Sequence, residues 1–103
     1  MGLAEQVRRK LRITYSDPDT DERVDDIMEQ ADADLRGLLG IDDDGFSFEQ
    51  PGTEQVLFLA YCFYEWNDAL DDFGANYATK IAQCRDRWLV KQYVEEEQAA
   101  SQL

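Results

Sequence analysis

"SDPDTDERVDD" (residues 16–26) sets acids at alternate positions, Asp17, Asp19 and Asp21. The stretch reads either as the opening of a cation loop or as the start of a helix. A helix–loop–helix calcium loop takes oxygen ligands at positions one, three and five, a Gly at six and a bidentate Glu at twelve. Counted from Asp17, position six is Glu22 and position twelve is Met28; counted from Asp19, they are Val24 and Gln30. Both requirements fail in both registers. The acidic stretch at 41–50 has a Gly but too few spaced ligands ahead of it. The helix-start reading needs no such exceptions. Asp19, or Thr20 one residue later, serves as N-cap, and Glu22 completes a capping box with Asp19. Asp21 and Glu22 complement the positive end of the helix dipole, and Pro18 stops any earlier helix.

From that cap outward the chain reads as helical. Val24, Ile27, Met28, Ala31, Leu35, Leu38 and Leu39 recur at helical spacing, with Asp25, Asp26, Glu29, Asp32 and Arg36 on the other face. Gly40 suits the left-handed position that ends a helix, so this long acidic second helix spans about 20–39. Upstream, Leu3, Val7 and Leu11 mark a short amphipathic helix with a basic face, joined by an extended linker at 12–19. Downstream, "GIDDDGFSFEQPG" (40–52) is a loop. Its Phe46 and Phe48 either tuck into the core or pair with a partner.

Thr53 caps a third helix whose residues Val56–Tyr64 are apolar all round. Such a helix is either central to the core or covered by another chain. A break near Gly74, with Asn76 as cap, precedes a fourth helix carrying Tyr77, Ile81, Cys84 and Trp88, its other face basic through Lys80, Arg85, Arg87 and Lys91. Val90, Tyr93 and Val94 extend the apolar surface. Residues 95–103, "EEEQAASQL", are expected to fray as a flexible tail. No segment alternates as a strand does. The expected fold is all-α: one domain over 1–103, a compact bundle of about four helices with an acidic second helix, an apolar third helix and a flexible tail.

Composition narrows the function classes. At 44% apolar, the chain can build a core and is not a disordered acidic segment. The apolar run at 56–64 is less than half the length that spans a bilayer, about 20 residues, and the N-terminal residues lack the apolar stretch of a signal peptide. No membrane association is expected. Cys62 and Cys84 are expected as buried thiols. There is no His, hence neither the commonest general base nor a Glu-x-x-His di-metal motif. Adjacent carboxylates such as Asp25/Asp26 and Asp71/Asp72 do not face one another on a helix. Catalytic residues, metal and cofactor are therefore all expected to be absent.

The net charge of −13 is unevenly distributed. Residues 1–12 hold four bases against Glu5, a net +3. Residues 13–50 hold thirteen acids against Arg23 and Arg36, a net −11. So acidic a surface repels duplex DNA, and sequence-specific nucleic-acid binding is not expected.

Two stretches carry a family likeness: "VRRKLRIT" followed by "DPDTDERVDDIMEQADADLRGLLGI" (7–41), and "YCFYEWNDALDDFGANYATKIAQCRDRW" (61–88). A short helix ending Leu11-Arg12-Ile13, an acidic cap, a long amphipathic helix with Ala31 mid-face, an aromatic helix, an Asp-Asp-Phe break and a closing helix with Tyr77 near its start follow in order. Over about residues 7–94 the chain resembles the small head–tail connector (head-completion, portal-adaptor) proteins of tailed bacteriophages and prophages. The resemblance implies a structural subunit without chemistry of its own. Such subunits form a ring, dodecameric to match the portal, that extends the DNA channel and seals the head after packaging. The implied partners are the portal protein, stopper or tail-completion proteins, and further copies of itself. The implied location is the head–tail junction of the virion, after a period in the host cytoplasm. Phe46, Phe48, Phe58, Tyr61, Trp66 and Tyr93 are the candidate interface residues, with core as the competing reading for the tryptophans. Asp25, Asp26, Glu29 and Asp32 are candidates for the channel face, where repulsion would let DNA slide. The alternative is an acidic adaptor or DNA-mimic inhibitor of a basic host protein.

Overall fold

A computed structural model describes residues 2–101, all of whose regular structure is helical: α1 (Leu3–Leu11), α2 (Pro18–Leu39), α3 (Thr53–Trp66), α4 (Leu70–Asn76) and α5 (Ala78–Ser101). Five helices replace the expected four or so. The added one is α4, because the chain breaks twice. It breaks first at Asn67–Ala69, where Asp68 turns left-handed at φ 54°, and again at Tyr77. Gly74, the expected break, lies inside α4.

The cap of α2 sits two residues earlier than expected. Asp17 is the N-cap: its Oδ1 accepts from the Thr20 backbone N–H at 3.0 Å and its Oδ2 from the Thr20 hydroxyl at 2.8 Å. Pro18 therefore starts the helix as its first residue, where a missing N–H costs nothing. Those contacts hold the Asp17 carboxyl below its usual range. Asp21 pairs with Arg8 of α1 and accepts from the Ser16 hydroxyl. The other end of α2 behaves as its sequence implies. Gly40 takes φ 68° and the Ile41 N–H reaches back to the Arg36 carbonyl at 2.9 Å. Arg12 ends α1 in the same left-handed way without being a glycine. Thr53 is not a cap but the first residue of α3; Gly52 precedes it at φ 155°, which a side chain rarely adopts.

α3 is the axle of the fold and packs against each of the other four helices. Its Leu57, Phe58, Ala60, Tyr61 and Cys62 join Val7 and Leu11 of α1, the Val24–Leu39 stripe of α2, Phe73 of α4, and Cys84 and Trp88 of α5 in one core. Of the two readings of its all-round apolarity, the central one describes most of the helix.

The molecule is elongated, 55 × 27 × 18 Å, with a Cα radius of gyration of 15.8 Å. A compact chain of this length would give about 13 Å. The difference comes from α5: twenty-four residues make a rod of about 36 Å. Among the described side chains only its first half carries buried residues, Cys84 and Trp88, and Gln92 donates to the Gly40 carbonyl at 3.2 Å. The segment expected to fray thus continues as helix through Ser101, while residues 102–103 of that expectation lie outside the described residues.

Candidate functional site

Three of the six candidate interface residues go to the core. Phe48, Phe58 and Tyr61 are all under 5% exposed, which corrects their assignment to a partner surface. Phe48 is drawn in because Phe58 offers a ring at 4.9 Å and Phe46 an edge at 5.2 Å. Tyr61 is held by its hydroxyl, which donates to Asp34 and accepts from Gln30 Nε2 at 3.0 Å. Burial and the Asp34 carboxylate both push that phenol's pKa upward. Phe46 is half-buried, its ring edge-on to Trp88 at 5.3 Å. Trp66 is half-buried beneath the Arg23 guanidinium, 4.2 Å from its ring centroid, while Arg23 also donates to the Trp66 carbonyl at 2.9 Å. Only Tyr93 stands fully open, 62% exposed.

The four acids of α2 do not form one uniform face. Asp25, Asp26 and Glu29 stand in solvent. Asp32 instead accepts from Arg36 Nε at 2.7 Å, one turn on. Arg36 then ties down the 41–52 loop, donating to the carbonyls of Asp43 (3.3 Å) and Phe46 (2.6 Å) and lying near both phenylalanine rings.

A cleft of about 290 Å³ opens between the loop and α5, lined by Phe46, Gln50, Glu54, Arg87, Trp88 and Lys91. On its wall Glu54 Oε1 accepts from Trp88 Nε1 at 3.3 Å and from the Cys84 thiol at 3.4 Å. Both thiols are free and buried. Burial raises Cys62 to about 12, and burial with the Glu54 charge raises Cys84. Neither is an activated nucleophile. Among the described residues no three His, Cys, Asp or Glu side chains gather where they could hold a metal ion, and no helix is long and apolar enough to cross a membrane.

What remains open is helix surface. Leu89, Val90, Tyr93 and Val94, all exposed, form a stripe on the side of α5 opposite Cys84 and Trp88. A groove of about 560 Å³ between Leu38, Ile81, Ala82 and Leu89 runs into it. A second stripe is Val56 and Phe63 on α3, with Lys10 of α1 lying 5.7 Å from the Phe63 ring. Val90, Tyr93 and Val94 were legible as an apolar extension. The exposure of Leu89, Val56 and Phe63 was not, because it depends on where α1 and the body end. No family model, curated protein or solved structure matches the chain.

Proposed function

We propose that this chain is a head–tail connector subunit that docks as a ring on a phage portal, extends its DNA channel and helps to close the filled head. The observation that carries the reading is the far half of α5, which leaves the body as a rod with Leu89, Val90, Tyr93 and Val94 uncovered. A subunit that must grip neighbours needs such a face; a self-sufficient monomer gains nothing from it. The all-helical body and the order of residues over 7–94 support the same reading. The channel face falls to Asp25, Asp26 and Glu29, which project into solvent, with Asp32 engaged by Arg36. The chain is given no catalytic role, and its place is the virion's head–tail junction.

The test is co-sedimentation with the portal ring encoded by the same genome, followed by the mass of the complex. Saturation at one copy per portal subunit is the expected result. Absence of binding by the folded protein overturns the proposal. It would favour the second reading, an acidic inhibitor of a basic protein, for which the solvent-facing Asp25, Asp26 and Glu29 are the supporting observation.

A further inference from the structure

The two uncovered apolar stripes carry opposite charge. The stripe on α5 runs directly into Glu95, Glu96 and Glu97. The stripe on α3 lies beside the last turn of α1, where Arg9 and Lys10 are exposed and Lys10 leans over Phe63. Residues 1–12 carry a net +3 in a chain whose total is −13. The two surfaces cannot meet within one molecule, because α5 is a single continuous helix whose far half points away from the body. We infer that the far half of α5 in one copy seats on the α1/α3 face of a second copy. Leu89, Val90, Tyr93 and Val94 cover Val56 and Phe63, and Glu96 and Glu97 face Arg9 and Lys10.

The contact joins two different patches, so it is heterologous. Every added copy presents the same free acceptor face, and repetition closes a ring or grows a filament. The inference rests on the connector reading only in identifying the ring; the pairing of faces comes from their chemistry. Charge complementarity selects the partner and sets the register, while the apolar area supplies the adhesion. Salt dependence alone would not read the contact. Salt screens the local attraction and also the repulsion between two copies that each carry −13.

The experiment is light-scattering mass across a concentration series, with charge reversals on each face. The wild-type chain is expected to rise above its 11.9 kDa monomer mass as concentration increases. Arg9→Glu with Lys10→Glu, or Glu96→Lys with Glu97→Lys, should each return it to monomer. An equimolar mixture of the two variants should regain the higher mass, since each supplies the face that the other lacks. Val90→Asp with Tyr93→Asp should stay folded by circular dichroism and be monomeric alone. It should pair with the Arg9→Glu/Lys10→Glu chain, whose α5 is intact, and not with the Glu96→Lys/Glu97→Lys chain. A wild-type chain that stays monomeric throughout overturns the inference, as does association untouched by the reversals or a mixture that fails to recover. Self-association without portal binding would sink the connector proposal and leave this inference standing. Portal binding by a chain that never self-associates would do the reverse.

Discussion

Phe58 lies against Phe48, 1% exposed, where a carboxylate would find no water and no cation. Phe58→Asp loses an aromatic core contact worth about 3–5 kcal/mol and adds a buried charge. Against a typical total of about 5–15 kcal/mol, the variant should be largely unfolded at room temperature, seen as loss of helical circular dichroism. A melting curve like the wild type's would refute this. Asp17 gives a pH-dependent prediction. Its folded pKa is lowered, so its contribution is fully present above the ordinary carboxylate range and disappears as pH falls through the folded value. Asp17→Ala should therefore melt below the wild type at neutral pH, and the two curves should converge in acid. Asp17→Asn, which can still cap, should lie between them at neutral pH. The stretch 16–26 announced a helix start but not its cap. The fixed φ of Pro18 makes it a good first helical residue, and that hands the cap to Asp17 ahead of the Asp19–Glu22 pair.

Among the elements, the 41–52 loop depends on Arg36, which bridges Asp32 and two loop carbonyls. Arg36→Ala should cost about 2 kcal/mol by leaving those acceptors unpaired. Amide exchange should accelerate selectively over 41–50 and stay slow in α3; a uniform acceleration would show that the loop is not an independent unit. Helices with a clear apolar stripe, α1 and α2, were legible to within two residues. α4 was not, since seven residues hold too few turns for a periodicity to appear. α3 was legible as a helix but not as a set of faces. A segment apolar on all sides carries no directional signal, and only the position of α1 decides that Phe63 stays at the surface.

For the whole molecule, shape and charge make the prediction. The described side chains of 93–98 all stand clear of the core, so on deleting residues 93–103 the melting temperature should move by less than about 4 °C. The radius of gyration from solution scattering should fall from the 15.8 Å class toward the compact value of about 13 Å. A large loss of stability would mean that the rod braces the body instead of merely extending from it. The elongation itself was hidden in the sequence. "EEEQAASQL" reads as a frayed end by composition, and the helicity of residues 95–101 comes from continuation of a helix already nucleated at Ala78.

The two tryptophans mark opposite ends of the central helix. Trp88 is tethered to Glu54 in the first turn of α3, and Trp66 closes its last turn under Arg23. Twelve residues of helix set those ends about 18 Å apart. The chain thus carries two built-in fluorophores in unlike surroundings, one beside a carboxylate and the other beneath a guanidinium. A Trp66→Phe variant emits only from the junction where α5 meets the body, and a Trp88→Phe variant only from the corner where α3 meets α2. Each end can then be followed optically, without an attached dye, as copies come together or come apart.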